Sequence, residues 1–202
     1  MSNRPDGRNN NEIRKISLTR GYLPHPEGSC LIEMGMTKVI VTATVEETLP
    51  GWLKDSQSGW VTAEYGMLPR STNTRNRRPS PGQSANGRTM EIQRLIGRSL
   101  RAVTDLEILG SRTVTVDCDV ICADGGTRTA SIIGGAVALY DCGEWLVQKG
   151  LTAKNPVKEL VAGISVGMSG NGIIIDLCYE EDSAANVDMN IVMTESGKFV
   201  EV

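Results

Sequence analysis

Histidine and phenylalanine are almost absent from this sequence of 202 residues, which contains one of each. A Ser-His-Asp nucleophile system would have to use His25, which lies in the turn-like segment LPHPEG, and a nuclease with two histidines is excluded. The five cysteines form no CxxC pair, so a zinc site of histidine and cysteine is a poor candidate. Chemistry in this chain therefore has to depend on arginine, aspartate, glutamate and backbone groups.

Long apolar runs are also missing. No segment approaches the roughly 20 apolar residues of a membrane span, and the N-terminal MSNRPDGRNNNEIRK lacks the apolar core of a signal peptide. The scattered cysteines indicate reduced core residues rather than a disulfide framework. We therefore expect a cytoplasmic protein without membrane contact, and the 40% of hydrophobic residues suffices for residues 1–202 to form a single domain.

Positive charge is concentrated in the first half of the chain, although the formal net charge is −3. Residues 1–100 contain 14 Lys and Arg against 9 Asp and Glu, whereas residues 101–202 contain 7 against 15. Between Arg70 and Arg101 there are eight arginines, no lysine and one acidic residue, Glu91. Because the guanidinium group grips phosphate oxygens in pairs, this segment indicates phosphate recognition; a solvated charged face is the alternative.

Strand and helix patterns alternate along the chain without a regular repeat, which predicts an α+β protein with mixed sheets. Strands are predicted within 28–48, at 113–121, at 160–168 and 173–178 around the turn SGNG, and in MNIVMT and FVEV. Helices are predicted at 89–109 and over about 20 residues after GGTR, with a long loop at 71–87 and an acidic loop at EEDSAANVD.

Two segments could bind an anion. The turn Gly125-Gly126-Thr127-Arg128 leads into a predicted helix, where glycine permits close approach and unpaired N–H groups face the ligand. It lacks the spacing of a Walker loop, and its alternative is an ordinary helix start capped by Thr127 or Thr129. Arg88, at the entrance to the first predicted helix, is either a second anion ligand or a surface arginine.

Carboxylates cluster around one bend near the end of the chain, at Glu180, Glu181, Asp182 and Asp188. Such a cluster either stays solvated or shares a hard cation such as Mg²⁺. Asp117 and Asp119, two residues apart on one strand face, form a rival pair. The spacing leaves these options open, together with Asp182 as a turn cap and Asp188 as an exposed strand start.

Four long segments, in this order, resemble the ribonuclease PH family of phosphorolytic exoribonucleases. They are GWVTAEYGMLPRSTNTRN at 59–76, GRTMEIQRLIGRSLRA at 87–102, TVDCDVICADGGTRTASI at 115–132 and YEEDSAANVDMNIVMT at 179–194. The resemblance runs through nearly the whole chain. It implies the ribonuclease PH fold, with mixed β-sheets and helices in two βαβ-like halves.

The resemblance also implies roles for the candidate residues. Inorganic phosphate, the co-substrate, would be held by Arg88, Gly126, Thr127 and Arg128, and would attack the last phosphodiester of an RNA 3′ end. Asp182 and Asp188 match the catalytic acidic pair: either both hold Mg²⁺, or Asp182 protonates the leaving 3′ oxygen. Arg70, Arg75 and Arg78 match positions near the RNA path and a subunit contact.

As a member of this family the protein would trim the 3′ trailers of tRNA precursors, release nucleoside 5′-diphosphates and run the reverse nucleotide addition. Family members form a hexameric ring, a trimer of dimers. The alternatives are a non-catalytic RNA-binding ring subunit of an exosome-like assembly and an inactive oligomerisation module. Family members normally continue several tens of residues past FVEV, so we expect the C-terminal helix region to be missing here.

Overall fold

The computed structural model describes residues 4–78, 87–169 and 172–202. The strands are Ile16–Arg20 (β1), Gly28–Met34 (β2), Thr37–Glu46 (β3), Trp60–Met67 (β4), Thr113–Cys122 (β5), Val161–Ser169 (β6), Gly172–Ile175 (β7), Val187–Thr194 (β8) and Phe199–Glu201 (β9). The helices are Gly87–Ala102 (α1), Leu106–Leu109 (α2), Thr127–Gln148 (α3) and Tyr179–Ala184 (α4).

The first sheet has the strand order β1-β2-β3-β5-β4. The strands predicted within 28–48 are confirmed as the hairpin of β2 and β3, in which Met34 pairs with Thr37. The predicted strand at 113–121 is confirmed as β5, and its core side carries the predicted set Val114, Val116, Cys118 and Val120. These residues share one face because side chains alternate along a strand.

A parallel crossover places α1 over the edge of this sheet. β4 pairs in parallel with β5, and α1 connects them, burying Ile92, Leu95, Ile96 and Leu100 as the sequence period predicts. The prediction of one continuous helix to Leu109 is wrong. α1 ends at Ala102 because the chain leaves the helix at Thr104 to bridge to Val157, and Asp105 then starts the separate helix α2 by accepting hydrogen bonds from two of its backbone N–H groups.

The helix predicted after GGTR is confirmed as α3, 22 residues long. It packs against β2 and β3 of the first sheet and against β6 of the second. Small residues allow the close contact: a Cβ on Gly134 would lie 2.9 Å from Val41 Cγ2. The helix is long and apolar enough to cross a membrane, but 61% of its apolar window is buried inside the protein, as in a core helix.

The second sheet has the order β7-β6-β8-β9, with antiparallel neighbours throughout the described residues. β7 and β8 both run antiparallel to β6, so they are parallel to each other, and α4 lies between them in the chain. Each half of the protein therefore contains a strand–helix–strand unit with parallel strands. The α+β class and the two βαβ-like halves are confirmed; positions 170 and 171 of the predicted turn SGNG lie outside the described residues.

The acidic segment that follows β7 is not the predicted loop throughout, because Tyr179–Ala184 forms α4. Cys178 begins the helix, and its backbone N–H donates to the Glu181 carboxylate at 3.0 Å, which closes the first turn. The cysteines are free, as predicted. Burial raises the pKa of Cys30 to about 11 and that of Cys142 to about 12, which keeps both thiols protonated.

Candidate active site

The glycine turn between β5 and α3 forms the floor of the candidate site. The N-cap of α3 is Gly126, which has no side chain, so neither Thr127 nor Thr129 acts as the cap. The Thr129 hydroxyl instead donates back to the Gly126 carbonyl at 2.9 Å. The first backbone N–H groups of α3 are therefore available to an anion.

Two consecutive left-handed glycines give this turn its shape. Gly125 has φ +71° and Gly126 has φ +66°. A Cβ on Gly125 would lie 2.5 Å from the Leu177 carbonyl oxygen, and one on Gly126 would lie 2.8 Å from Arg14 Nη2. The turn thus packs directly against the backbone that leads into α4, which brings the acidic helix next to the anion site.

Arg88 and Arg128 lie in the same cleft, which has a volume of about 1030 Å³. Arg88 comes from the first turn of α1 and Arg128 from the first turn of α3, 40 residues later in the chain. Gly126 and Thr127 also line this cleft. The four residues predicted to bind phosphate are therefore brought together, with two guanidinium groups beside one helix start.

The predicted acidic pair lies in this cleft too. Asp182 projects from α4, and Asp188 from β8, where it pairs with Gly167. Burial and the charge of Asp188 raise the pKa of Asp182, and the charges of Arg128 and Arg88 partly oppose this. The acidic pair and the arginine pair are thus close enough to act on each other electrostatically.

The rival pair on β5 is divided by the structure. Asp119 lines the cleft, whereas Asp117 is not among its lining residues. Burial and the neighbouring Asp119 raise the pKa of Asp117. Asp119 therefore joins the acidic side of the same cleft rather than forming a separate site with Asp117.

Tyr65 is a cleft residue that sequence reasoning missed. Its ring is buried, and its hydroxyl lies 2.9 Å from Thr127 Oγ1, so it holds that side chain at the anion site. Burial raises the pKa of Tyr65, although the hydrogen bond with Thr127 and the charges of Arg88 and Arg128 act against this rise. Its sequence signal was its position in GWVTAEYGMLPRSTNTRN, the first segment that resembles the family.

The arginines after β4 occupy different places. Arg78 lines the cleft, as does Arg77, which the sequence analysis did not select. Arg70 and Arg75 are exposed and do not belong to the cleft lining. The predicted loop at 71–87 is irregular over 71–78, its positions 79–86 lie outside the described residues, and α1 begins at Gly87.

Comparison with known families gives two adjacent matches. The 3′ exoribonuclease family, domain 1, matches residues 12–144, and domain 2 of that family matches residues 159–202. That residues 1–202 form a single domain stays a prediction.

Solved structures share the fold at low sequence identity. The crystal structure of Rrp46 from rice (Oryza sativa) is 20% identical, covering 97% of this chain and 84% of that chain, with a TM-score of 0.77. The Archaeoglobus fulgidus exosome with RNA bound to the active site is 24% identical, covering 98% of this chain and 79% of that chain, with a TM-score of 0.82. An archaeal exosome core is 22% identical, covering 98% of this chain and 77% of that chain, with a TM-score of 0.77. These likenesses confirm the predicted fold.

Proposed function

Because the chain belongs to the 3′ exoribonuclease family of ribonuclease PH, we propose that it is a phosphate-dependent 3′→5′ exoribonuclease. Its proposed substrates are RNAs with short 3′ extensions, tRNA precursors among them. One observation carries the proposal: Asp182 lies within electrostatic reach of Asp188, Arg88 and Arg128 in a single cleft. That cleft offers positive groups for an anion and carboxylates for a leaving group.

Inorganic phosphate is the proposed nucleophile, held by Arg88, Arg128 and the backbone N–H groups at the start of α3. The hydroxyl of Thr127, positioned by Tyr65, adds a neutral donor. Attack on RNA brings two anions together, so fixed positive groups lower the barrier by offsetting their repulsion. Phosphate needs no general base to become nucleophilic, which agrees with a cleft lined without histidine.

The proposed reaction exchanges one bond at phosphorus for another. An oxygen of the bound phosphate attacks the last phosphodiester of the RNA, and the bond from that phosphorus to the 3′ oxygen of the preceding nucleotide breaks. The leaving oxygen takes a proton, which Asp182 is suited to donate because burial and Asp188 raise its pKa. The products are a nucleoside 5′-diphosphate and an RNA shortened by one nucleotide.

The acidic pair also fits Mg²⁺. This ion is usually held by one or two carboxylates together with substrate phosphates, and the mutual repulsion at Asp182 and Asp188 is what a cation would relieve. Among residues 4–78, 87–169 and 172–202 there is no group of three or more His, Cys, Asp or Glu placed to hold a metal. Asp188 would then be the main ligand that the protein supplies. Asp182 would either donate the proton to the leaving oxygen or join Asp188 as a ligand, in which case the bound ion would neutralise the charge on that oxygen instead.

RNA is proposed to enter past Arg77 and Arg78, with Arg70 and Arg75 further along its path or at a subunit contact. We propose a homo-oligomeric ring, a hexamer built as a trimer of dimers, in the cytoplasm. The reverse reaction, addition of nucleotides from nucleoside diphosphates to a 3′ end, uses the same groups and belongs to the same proposal.

A non-catalytic RNA-binding ring subunit is the second candidate. The structures with the same fold include an exosome with RNA bound and an exosome core, so this fold also occurs in assemblies of several subunits. The presence in one cleft of both arginines and both carboxylates favours an active enzyme over this candidate.

The decisive experiment is incubation with a tRNA that carries extra 3′ nucleotides, with and without inorganic phosphate. We expect nucleoside diphosphates only when phosphate is present. Arg88→Ala should lower the rate about 100-fold or more, as for loss of one anion-stabilising donor. Arg94→Ala is the matched control, since Arg94 is exposed on the same helix outside the cleft lining.

Other outcomes separate the candidates. RNA binding without any diphosphate release would support the non-catalytic ring subunit. Release of nucleoside monophosphates without phosphate would mean hydrolysis, and equal activity of Arg88→Ala and Arg94→Ala would remove Arg88 from the site.

A further inference from the structure

Arginines near the N-terminus contact α4 on the side that faces away from the cleft. Arg4 is 7% exposed, and its guanidinium donates to both carboxylate oxygens of Glu181, at 2.6 Å (Oε1) and 2.9 Å (Oε2). It also donates to the backbone carbonyls of Asn9 and Asp176. This one side chain therefore ties α4 to the N-terminal segment and to the chain just before the helix.

Asp176, two residues before the N-cap of α4, is the second anchor. It is fully buried, and its carboxylate accepts hydrogen bonds from Arg14 N at 2.6 Å, Arg14 Nε at 3.0 Å and Arg14 Nη2 at 2.6 Å, with Arg8 Nη1 at 3.1 Å. Asp176 has φ +53°, a left-handed conformation that a non-glycine residue adopts at a cost. The surrounding hydrogen bonds hold it there.

Arg14 contacts the chain on both sides of the junction between the glycine turn and α4. While one edge of its guanidinium binds Asp176, Nη1 donates to the backbone carbonyl of Asp124, the residue just before the glycine turn. The same group lies beneath Gly126, where a Cβ would come within 2.8 Å of Nη2. Arg14 thus connects the glycine turn to the start of α4.

Helix geometry explains why neighbouring acids have different roles. Consecutive residues of an α-helix point about 100° apart, so Glu181 faces Arg4 in the interior while Asp182 faces the cleft. Burying charged groups is costly unless they are paired, and Glu181 and Asp176 are both paired with arginines. Such pairing on the far side of α4 fixes the helix in one orientation.

We infer that Arg4, Arg8 and Arg14, which we call the N-terminal clasp, position the acidic helix against the glycine turn and so set the place of Asp182 relative to bound phosphate. The clasp residues are positioning residues: they contact Glu181, Asp176 and Asp124 and act through Asp182. The inference rests on the proposed function for its catalytic consequence, but the positioning itself concerns only this chain's own contacts.

The test compares Glu181→Gln with Glu180→Gln. The two substitutions make the same change at adjacent positions of α4, but Glu180 is exposed and Glu181 binds Arg4. Turnover, the KM for phosphate and Mn²⁺ binding by the RNA-free protein are measured, with thermal unfolding used to correct for the folded fraction. A merely structural role would lower the folded fraction without changing the turnover, the KM for phosphate or the Mn²⁺ affinity of the folded protein.

We expect Glu181→Gln to lower kcat and weaken Mn²⁺ binding about tenfold, as for loss of a residue that orients a ligand. The KM for phosphate should stay within about twofold, because Arg14 still holds the turn. Glu180→Gln should match the unmodified protein. Arg4→Lys, which keeps the charge but loses the fork, is a second variant and should show the same pattern as Glu181→Gln.

Equal kcat and Mn²⁺ binding in Glu181→Gln and Glu180→Gln would overturn the inference, as would a lack of Mn²⁺ binding in the unmodified protein. The proposed function fails separately: if the unmodified protein releases no nucleoside diphosphate yet Mn²⁺ binding differs between the two variants, the clasp stands and the phosphorolytic activity does not.

Discussion

The raised pKa of Asp182 suits the proposed chemistry but lowers the stability of the folded protein. Partial burial in the cleft and the charge of Asp188 raise its pKa, so the ionised form is less favourable in the folded protein than in the unfolded chain, although the side chain is still exposed. A carboxyl group that retains its proton can donate it to a leaving oxygen. When the same group is ionised next to another carboxylate, a bound cation relieves the repulsion between the two charges. Sites that perturb such groups commonly lower the stability of the protein that contains them.

Asp182→Asn should therefore stabilise the protein at neutral pH while abolishing turnover. A raised folded-state pKa means that the folded state binds more protons than the unfolded chain between the two pKa values, so this contribution destabilises the fold as the pH rises through them. The gain should be less than about 1 kcal/mol because the pair is open to solvent. Urea unfolding at pH 7 and at pH 3 measures it: the gain should vanish at the lower pH, and an equal gain at both would contradict the assignment.

Gly125 illustrates a residue whose absence of a side chain builds the site. Gly125→Ala should lower the free energy of unfolding by more than about 1 kcal/mol, the usual cost of a left-handed alanine, because its Cβ also meets the Leu177 carbonyl. Gly150→Ala is the matched control: its φ of +70° is nearly the same, and nothing lies within 4 Å of its Cβ. Chemical unfolding measures the free energy of unfolding of both variants. The loss in Gly150→Ala gives the cost of the left-handed conformation alone, and the additional loss in Gly125→Ala gives the cost of the contact with Leu177. Equal losses in the two variants would mean that the turn shifts to avoid this contact.

Local patterns predicted the elements that carry their own signal. The alternation of β5 and the apolar period of α1 are written in adjacent residues, and so are the hairpin of β2 and β3 and the long helix α3. The break between α1 and α2 could not be predicted, because it depends on a bridge from Thr104 to Val157, which lies 53 residues later. β1 and β4 were not predicted. β1 has only five residues, so the alternation of Ile16 and Leu18 with polar residues is too short to indicate a strand.

The candidate site was predictable to a similar extent. Arg88, the glycine turn, Asp182 and Asp188 were selected as separate motifs, and their convergence followed only from the family resemblance. The supporting contacts have no local signature: the Arg4–Glu181 pair joins residues 177 positions apart. Tyr65 lies in a segment for which no element was predicted, and only the hydrogen bond between its hydroxyl and Thr127 shows its place in the site.

The helix α4 should loosen in acid before the core of the first sheet does. Burial acts to raise the pKa values of Asp176 and Glu181, but hydrogen bonds and charge from the arginines outweigh it, so both pKa values are lowered. A lowered pKa gives stability that is present above the unfolded value, about 4, and is lost as the pH falls through the folded value. Amide hydrogen exchange between pH 6 and 3 should show α4 losing protection before β5; simultaneous loss would contradict this.

Across the whole molecule, the cleft joins a basic half to an acidic half. Arg77, Arg78 and Arg88 come from residues 1–100, which carry the excess of positive charge, whereas Asp182 and Asp188 come from the acidic remainder. Under the proposed function, the arginines would attract the RNA backbone and the carboxylates would meet its reacting 3′ end. Net charge alone, at −3, would have given no indication of this arrangement.

Arg77→Ala combined with Arg78→Ala should flatten the salt dependence of RNA binding. Each phosphate contact to a single strand contributes a slope of about −0.7 in a plot of log K against log salt, so loss of two contacts changes the slope by about 1.4. Binding of a single-stranded RNA is measured at several salt concentrations, with Arg20→Ala as the control, since Arg20 lies on β1 at the opposite edge of the first sheet and pairs with Asp141. An unchanged slope in the double variant would place the RNA elsewhere, whereas a changed slope in Arg75→Ala would extend its path beyond the cleft.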